Sequence, residues 1–378
     1  MAKTEQNTQN SSHIDKGFGD PLGSSLRYER LRDINSGSFG FVQECRDKVT
    51  GEKVAIKFVA RKDADTKTMK YHEREIVNHS RLHHPFIVEL KDFFLLPKYQ
   101  VSVMELADAG DLFDHVIQCG GLEEPIARRF FQQFIIGLEY CHSNGIVNRD
   151  IKPENTLLQS GADGLTVKMC DFGNSKDQEK GSQARTRVGS PQYMAPEVIE
   201  CPQTYDGKKA DMWSCGVMLY VMLMARYPFL GPDEKMNHSK IFQRMQAGAF
   251  LLKDSLSDEV KSLVKSLMVV DPEQRMTLAE VKEHPWFTQD IPEGLLEMNE
   301  TLQDRPSNLA SAEEILRIIR TRETKPPRDP NLKAASAAEP VVSANDVTMA
   351  ESGSSFFSED TLRQMDQEKK DGCCCVIC

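Results

Sequence analysis

The fold is decided by two short stretches of sequence, Asn148-Arg149-Asp150-Ile151-Lys152-Pro153-Glu154-Asn155 and Asp171-Phe172-Gly173. Phosphoryl transfer from ATP needs a carboxylate that orients the accepting hydroxyl, oxygen ligands for Mg²⁺ and a cation near the moving charge. Asp150, the pair Asp171 and Asn155, and Lys152 suit these tasks in that order. The two stretches therefore predict catalytic residues Asp150 and Lys152, metal ligands Asn155 and Asp171, and a requirement for ATP and Mg²⁺.

Each stretch alone has an ordinary explanation. An Arg-Asp pair such as Arg149-Asp150 is often a surface salt bridge, and Asp171-Phe172-Gly173 is a common turn. Both stretches together, at this separation and downstream of a suitably placed lysine, rarely arise by chance. The combination favours the catalytic interpretation.

That lysine lies in Val54-Ala55-Ile56-Lys57, where an alternating strand would direct Lys57 inward. A lone lysine on a strand is usually a solvated edge residue. Glu75, on the next predicted helix, is placed to form an ion pair with Lys57 that would hold the lysine against the nucleotide phosphates.

The stretch before Lys57, Asn35-Ser36-Gly37-Ser38-Phe39-Gly40-Phe41-Val42, resembles the Gly-x-Gly-x-x-Gly-x-Val loop that covers nucleotide phosphates. Asn35 stands at the first glycine position. Glycines in such a loop let the backbone approach the phosphates closely. Taken alone, two glycines near a turn indicate a plain hairpin about as often as a nucleotide site.

Composition limits the possible classes of protein. The 378 residues allow a large core, and a net charge of −10 argues against a nucleic-acid partner and permits basic substrates. The first 27 residues show no apolar run of signal-peptide type, and the longest apolar stretch, 216–225, is about half the length of a membrane span. The body cysteines have no Cys-x-x-Cys pair, which is typical of reduced cytosolic thiols.

Periodicity predicts an α+β fold of two lobes. Strands are predicted at 28–34, 41–47, 53–59, 87–94 and 100–104, with one helix at 69–79, which makes a small antiparallel lobe. Helices dominate afterwards. Ile126, Phe130, Phe134 and Leu138 predict one buried face within 122–143, and 210–225 is apolar all round, as in a buried helix. A last amphipathic helix is predicted within 304–322, with Leu309, Ile315, Ile318 and Ile319 on its apolar face.

The predicted organisation has four parts. Residues 1–27 are polar and expected to be disordered, 28–287 form the catalytic domain, 288–322 form a regulatory helix, and 323–378 form a disordered tail. Within the domain, 28–106 form the small lobe and 107–287 the large lobe, with a hinge near Glu105–Ala107 and a nucleotide in the cleft between them.

Residues 28–287 resemble a eukaryotic serine/threonine protein kinase of the calmodulin-dependent group. The subfamily they resemble is the plant and algal subfamily-2 relatives of the sucrose-non-fermenting kinases, which respond to osmotic stress and abscisic acid. The residues that carry this resemblance are Arg74-Glu75-Ile76-Val77-Asn78-His79, Val103-Met104-Glu105, Glu154-Asn155-Thr156-Leu157-Leu158 and Val188-Gly189-Ser190-Pro191. Ile291-Pro292-Glu293-Gly294-Leu295 and the helix after it resemble the subfamily's regulatory box, which packs on the small-lobe helix.

The resemblance implies further site residues. Lys152 implies serine/threonine specificity, and the implied ATP-binding residues are Ile34, Asn35, Ser36, Gly37, Ser38, Phe39, Gly40, Val42, Ala55, Lys57, Glu75, Glu105, Ala107 and Asp111. The polar segment between Gly173 and Ala195-Pro196-Glu197 implies an activation loop that also contains Ser175. In it Thr186 is the main phosphorylation site and Ser182 a second one. Arg149 is the expected partner of that phosphate.

The implied partners are proteins. Asp111, Glu154 and Ser190 would contact the substrate, with peptides that carry arginine three residues before the acceptor preferred. An upstream activating kinase and a phosphatase are implied. Glu197 would pair with Arg275, and Asp211 and Trp213 would anchor the catalytic loop.

Three features depart from the family pattern. Asn148 replaces a histidine at a position that supports the loop, and Asn35 replaces a glycine but tolerates a positive φ better than most residues. No aspartate-rich box is found in the tail, which weakens the expectation of hormone-receptor and phosphatase coupling. The alternative function is a catalytically impaired pseudokinase scaffold that a lipidated tail recruits to membranes.

The sequence Cys373-Cys374-Cys375-Val376-Ile377-Cys378 contains Cys-Val-Ile-Cys, which fits the Cys-a-a-X prenylation signal at Cys375. A chance or metal-binding cysteine tail is the other interpretation, and the lipid type stays open. A single lipid chain anchors weakly, so palmitoylation of Cys373 or Cys374 is expected as a second anchor. These residues predict a cytoplasmic protein that is partly held on the cytosolic face of a membrane.

Overall fold

The computed structural model describes residues 19–23, 25, 27–37, 40–61, 66–173, 175–177, 190–200, 205–231, 238–302, 309 and 311–321. Several predicted features lie outside these residues: the tail 323–378 with Cys373, Cys374 and Cys375, the loop residues Ser38 and Phe39, and the phosphorylation sites Ser182 and Thr186.

The small lobe is an antiparallel five-stranded sheet in the order β1-β2-β3-β5-β4. Its strands are β1 (Tyr28–Gly37), β2 (Gly40–Asp47), β3 (Lys53–Ala60), β4 (Leu90–Leu95) and β5 (Tyr99–Glu105), and helix α1 (Thr66–His79) lies between β3 and β4. Val54, Ile56 and Phe58 of β3 belong to the apolar cluster on the outer face of the sheet. They alternate with residues that face the cleft. Since alternate side chains point to opposite faces of a strand, Lys57 is directed to the other side.

Two strand boundaries differ from the prediction. β1 extends to Gly37 because it pairs with β2 as far as Gly40, so the predicted phosphate loop is largely a hairpin. β4 begins at Leu90, and Ile87 instead forms an isolated bridge with Met169 of the large lobe. The predicted strand 87–94 is thus divided between two lobes, which a periodic pattern cannot separate.

The prediction of disorder up to residue 27 is wrong for the residues that the structure describes. Leu22 is buried in the outer small-lobe cluster, and Gln43 donates a hydrogen bond to the carbonyl of Gly19 at 3.0 Å. Arg27 pairs with Asp47 at 3.0 Å. One apolar side chain in a polar stretch is enough to bring this segment onto the sheet.

The large lobe is mainly helical. It contains α2 (Leu112–Cys119), α3 (Glu124–Ser143), α4 (Pro196–Glu200), α5 (Gly207–Met224), α6 (His238–Gln246), α7 (Asp258–Leu267), α8 (Leu278–Glu283) and α9 (Pro285–Thr288). Phe130, Phe134 and Leu138 of α3 are buried as predicted, but Ile126 is 44% exposed. Ile126 lies in the first turn of α3, where the neighbouring Ala127 enters the core instead.

Helix α5 forms the centre of this lobe and is buried along almost its whole length, as predicted. Asp206 caps its first turn by accepting from the backbone N–H groups of Lys208 and Lys209. A methyl group on Gly216 would lie 2.8 Å from Leu267, so only glycine allows α7 to pack this closely.

Two small antiparallel pairs hold the loops between α3 and α4. Strands β6 (Ile146–Val147) and β9 (Lys176–Asp177) pair with each other, and so do β7 (Thr156–Gly161) and β8 (Gly164–Met169). A 3-10 turn, Pro153–Asn155, leads into β7. These short strands, absent from the sequence prediction, fix both ends of the Asp150 and Asp171 loops.

After the large lobe, the chain returns to the small lobe. Helix α10 (Met298–Thr301) leads towards α11 (Ala312–Thr321), which occupies part of the predicted 304–322 helix. Ile315 and Ile319 are buried together with Ile76 of α1 and Leu90 of β4. This is the predicted packing of the regulatory box on the small-lobe helix.

The described cysteines Cys45, Cys119, Cys141, Cys170 and Cys215 are free thiols. Among the helices of the described part of the chain, none combines the length and the apolar character needed to cross a bilayer.

Candidate active site

The catalytic loop is held in an unusual backbone conformation by the buried helix beneath it. Arg149 has φ of 66°, in the left-handed region. Asp211 of α5 accepts hydrogen bonds from the backbone N–H groups of Asn148 (3.0 Å) and Arg149 (2.8 Å) and from His142 (2.8 Å). This network stabilises the conformation that presents Asp150.

Asn148 supports the same loop from within. It is 3% exposed, and its side-chain oxygen accepts from the backbone N–H of Asp150 at 3.0 Å. A side chain that bonds to the backbone two residues later closes an Asx-type turn. Asn148 thus supplies an acceptor in place of the histidine of the family pattern.

The Asp150 carboxylate lies among hydrogen-bond donors. Asn155 Nδ2 donates to it at 3.1 Å, the Lys152 ammonium lies at 3.3 Å, and the backbone N–H of Ser190 donates at 3.1 Å. Burial alone would lower the pKa of Lys152, but the charges of Asp150 and Glu154 outweigh it and raise this pKa. The site therefore combines an ionised lysine and a carboxylate next to the position of an acceptor hydroxyl.

Lys57 of β3 and Glu75 of α1 form a buried ion pair with a separation of 2.8 Å. Burial would raise the pKa of Glu75, but the Lys57 ammonium and the hydrogen bond from His72 lower it to about 2. Glu75 is therefore ionised at neutral pH and pairs with Lys57 in the arrangement that the sequence predicted.

Asp171 is also held in the left-handed region, with φ of 61°, and is 8% exposed. Its side chain accepts from the backbone N–H of Gly173 at 3.0 Å. Burial and the nearby charge of Glu75 raise the pKa of Asp171 to about 6, although Lys57 opposes the shift. A carboxylate in such surroundings is suited to bind a cation, which favours its charged form.

Asn155 fits the role of a second oxygen ligand. Its amide nitrogen bonds to Asp150, while its side-chain oxygen is buried and has no hydrogen-bond partner among the residues that the structure describes. The described residues contain no group of three or more His, Cys, Asp or Glu side chains that could hold a metal alone. Mg²⁺ is usually held by one or two protein ligands with phosphates and waters, so Asp171 and Asn155 fit that ion.

A cleft of ≈ 520 Å³ lies between the lobes. Four of the predicted ATP-binding residues line it: Ile34, Ala55, Glu105 and Ala107. Val42 is buried on β2 opposite Lys57, and Asp111 caps α2 without lining the cleft. The sequence analysis missed lining residues Val88, Met104, Leu157 and Cys170, whose apolar character does not distinguish them from core residues.

The hairpin over the cleft accommodates its asparagine without strain. Asn35 does not have a positive φ, and its side-chain oxygen accepts from the backbone N–H of Ser36 at 2.6 Å. The tolerance of asparagine for a positive φ is therefore not needed at this position. Gly40 is the glycine that the fold requires, because a Cβ there would lie 1.9 Å from the Phe58 carbonyl oxygen.

The two acidic residues expected to contact the substrate lie in neighbouring elements. Glu154 accepts from the Tyr193 hydroxyl at 3.0 Å, and burial raises its pKa. Asp111 caps α2 by accepting from the Asp114 N–H at 2.9 Å. Ser190 contacts the catalytic loop, with its hydroxyl 2.9 Å from the Lys152 ammonium.

Two structural predictions have different outcomes. Arg275 and Glu197 form the expected ion pair at 2.6 Å. Asp211 anchors the catalytic loop, but Trp213 does not: its ring stacks on Phe229 and lies under the Arg275 guanidinium. Positions two apart on a helix face different directions. Trp213 therefore cannot reach the catalytic loop that Asp211 contacts.

An ion pair that the sequence did not predict crosses the hinge. Lys168 of β8 lies 2.7 Å from Glu105 at the end of β5. Nothing in the spacing of two residues 63 apart signals this contact. It joins the lobes beside the cleft.

Comparison with known families decides the identity. Residues 28–287 match the model described as "Protein kinase domain". The chain belongs to the protein kinase family. The two-lobed fold and the enzyme class predicted from sequence are thereby confirmed.

Its relatives are serine/threonine-protein kinases of plants. The kinase is 41% identical to SRK2I of Arabidopsis thaliana over 303 residues, which cover 79% of this chain and 82% of that protein. It is 42% identical to SAPK2 of Oryza sativa subsp. indica over 80% of this chain and 89% of the relative. The rice (subsp. japonica) SAPK1 is 41% identical over 83% and 91%. The protein is thus a serine/threonine protein kinase of the predicted subfamily.

Proposed function

We propose that this kinase transfers the γ-phosphate of ATP to Ser and Thr hydroxyls with Asp150 orienting the acceptor hydroxyl. The supporting observation is that separate motifs converge on Asp171, which is close enough to Glu75, Lys57 and Asp150 for their charges to act on it. Lys57 is fixed by Glu75, and Asp150 is bonded to Asn155 and adjacent to Lys152. Phosphoryl transfer is catalysed mainly by positioning and electrostatic stabilisation, which these contacts provide.

We assign the Mg²⁺ site to Asp171 and Asn155. When bound, Mg²⁺ supplies positive charge at the phosphate oxygens. Asp171 offers a buried carboxylate, and Asn155 offers an oxygen that has no partner in the described part of the chain. Asn155→Ala should therefore raise the Mg²⁺ concentration needed for half-maximal activity, whereas Asn144→Ala, at the exposed end of α3, should not.

Turnover of ATP on a basic peptide separates this function from the pseudokinase alternative. That alternative lacks support, since the charged catalytic residues are present and paired. Catalysis by the wild type that is lost in Asp171→Ala supports the kinase mechanism. A wild-type protein that binds ATP without turnover in its phosphorylated form would favour the scaffold.

We propose that the substrates carry arginine three residues before the acceptor. Glu154 lies beside the catalytic loop, and Asp111 has a second carboxylate oxygen without a partner among the described residues. A charge-assisted hydrogen bond contributes about 1.5–3 kcal/mol, so loss of one should reduce the preference about tenfold or more. Asp111→Asn keeps the helix cap and removes the charge, and Asp163→Asn is the matched control at an exposed acidic residue. A peptide-library profile that Asp111→Asn leaves unchanged would contradict the assignment.

We propose that phosphorylation of Thr186 activates the kinase, with Ser182 as a secondary site. An upstream kinase and an opposing phosphatase would set the level of this modification. Arg149, next to Asp150 and in contact with Tyr205, is the proposed phosphate partner. Thr186→Ala should abolish stimulated activity and Ser182→Ala should reduce it partly. Full stimulation of Thr186→Ala would refute the assignment.

We propose a role in osmotic-stress signalling from the resemblance to the subfamily named above. Kinase recovered from cells before and after osmotic shock should differ in activity towards the same peptide. Comparison of phosphoproteins in wild-type and Asp171→Ala cells would then identify its substrates.

We propose, from the sequence alone, that Cys375 is prenylated and that Cys373 or Cys374 is palmitoylated. A lone lipid chain gives marginal binding, whereas two signals give stable anchoring. Cys375→Ser should release the kinase from membranes completely, and Cys373→Ser with Cys374→Ser should release it partly. A mass spectrum that shows an unmodified Cys-Val-Ile-Cys sequence in the wild type would exclude this proposal.

A further inference from the structure

A buried hydrogen bond connects helix α1 of the small lobe to the residue just after Asp171-Phe172-Gly173. Asn78 Nδ2 donates to Ser175 Oγ at 2.8 Å, and the two residues are 3% and 0% exposed. The partners are 97 positions apart in sequence. Asn78 and Ser175 do not line the nucleotide cleft. The hydrogen bonds to the Asp150 carboxylate come from other residues.

Ser175 is itself fixed to the Asp171 motif. Its backbone N–H donates to the Phe172 carbonyl at 3.0 Å, and its hydroxyl also donates to that carbonyl. A serine hydroxyl has a single proton. Because this proton goes to Phe172, the hydroxyl can only accept from Asn78, which sets the orientation of the Asn78 amide.

Helix α1 presents three consecutive contacts on one face. Glu75 pairs with Lys57, Asn78 bonds to Ser175, and the His79 ring lies 5.3 Å from the Phe172 ring. Positions three and four apart share a helix face, so one placement of α1 satisfies all three. The distance between the phosphate-binding lysine and Asp171 thus depends on how α1 is placed.

We propose that Asn78 and Ser175 are positioning residues which hold Asp171 in its metal-binding place relative to Lys57. The proposal rests on the metal-ligand role of Asp171 given above. The pair acts through the backbone of Phe172, whose carbonyl is the shared anchor. Asp171 has a positive φ, and such a conformation persists only where surrounding contacts determine it.

The same geometry also concerns modification of Ser175, which lies in the predicted activation segment. Its hydroxyl is fully buried and engaged on both sides. A phosphate there would remove the proton that the hydroxyl donates to Phe172 and would place negative charge beside a carbonyl oxygen. Ser175 is therefore a structural member of this segment in the arrangement seen here, distinct from its phosphorylation sites.

The test is a double-mutant cycle with Asn78→Ala, Ser175→Ala and the combined variant in the full chain. Each single change should raise the Mg²⁺ concentration for half-maximal activity by about threefold to thirtyfold and lower kcat, with the KM for peptide unchanged. The combined variant should be no worse than the worse single variant, because both remove the same bond. Ser175→Thr keeps the hydroxyl and should retain more of the wild-type Mg²⁺ dependence.

Asn299→Ala is the matched control, since Asn299 Nδ2 makes comparable bonds to Glu139 and to the Ile136 carbonyl in the large lobe. It should lower Tm without any change in Mg²⁺ dependence. If Asn78→Ala and Ser175→Ala behave like Asn299→Ala, or if their effects add, the pair is merely structural and the proposal is overturned. Should Asn78→Ala fail to fold, Ser175→Ala, which removes one oxygen atom, decides alone.

Asp171→Ala distinguishes this proposal from the function on which it rests. If Asp171→Ala retains activity, the metal assignment itself is wrong. If Asp171→Ala is inactive while Asn78→Ala and Ser175→Ala have a normal Mg²⁺ dependence, only the positioning proposal fails.

Discussion

Asn148 and Asn35 both replace family residues near the site, yet they lie in very different surroundings. Asn148 is buried, and its side chain and backbone connect Asp150 to Asp211. Asn35 lies near the turn of the hairpin formed by β1 and β2, and its side chain accepts from the neighbouring N–H of Ser36. A substitution inside a network must supply an equivalent hydrogen bond, whereas one at a strand end needs only a compatible backbone.

The largest expected effect comes from the charges that the network positions. Asp171→Ala and Lys57→Ala should each reduce kcat at least about a hundredfold, because they remove a metal ligand and a cation that stabilise the transition state. Steady-state phosphorylation of a basic peptide measures this, with circular dichroism to show that the fold persists. More than a few per cent of residual activity in Asp171→Ala would contradict the assignment of Asp171 as an essential metal ligand.

Asn148→Ala should have an intermediate effect. It leaves the buried N–H of Asp150 without its acceptor, which costs about 1–3 kcal/mol and lowers Tm by about 3–10 °C. A shift of the catalytic carboxylate should also lower kcat about tenfold or more. Asn148→Ser keeps an acceptor and should lose less. Asn144→Ala, at the end of α3, is the control that removes an amide elsewhere.

Asn35→Gly should change little. Because Asn35 is not in the left-handed region, glycine brings no relief of strain and costs about 0.5–1 kcal/mol of backbone entropy. The KM for ATP should stay within about fivefold of the wild-type value. A large gain in activity would show that the hairpin changes conformation when nucleotide binds, and that Asn35 limits the enzyme.

His84 tests whether burial alone makes a polar side chain matter to catalysis. His84 is buried, as Asn148 is, but it does not support the catalytic loop. Its Nδ1 accepts from the Phe86 N–H, and its Nε2 donates to Asn299. His84→Gln should leave activity at neutral pH unchanged. A loss comparable to that of Asn148→Ala would show that burial is sufficient.

The same residue gives a pH dependence. Burial lowers the pKa of His84 from its usual 6.5 to about 4. The folded protein therefore binds this proton less readily than the unfolded chain. As a result, the free energy of unfolding is not reduced by His84 above about pH 6.5 and decreases as the pH falls towards 4. The loss amounts to roughly 3 kcal/mol from the size of the shift. Urea unfolding at several pH values should show a shallower dependence in His84→Gln over this window.

Contacts between motif residues could be predicted from the sequence. The Lys57–Glu75 and Glu197–Arg275 pairs follow from residue types whose roles are tied to one geometry. The sequence was insufficient where a contact depends on the path of the chain. Asn78 and Ser175 carry no pattern of their own, and Lys168 meets Glu105 only because two lobes close on each other.

Boundary errors had a different cause, since periodicity reports burial without naming the partner. Ile87 belongs to the predicted strand but pairs with the large lobe, and Ile126 keeps the helical spacing although its side chain is exposed. Leu22 was missed because a single apolar residue makes no period. Each error is a case in which tertiary contacts override a local pattern.

Helix α11 has a consequence for the order of folding. Its residues Ile315 and Ile319 complete an apolar cluster whose other members include Ile76, Val88 and Leu90. During synthesis at about 5–20 residues per second, the small lobe would wait roughly ten to forty seconds for this helix. Until then part of its apolar surface stays uncovered, and such surface makes a nascent chain prone to aggregate.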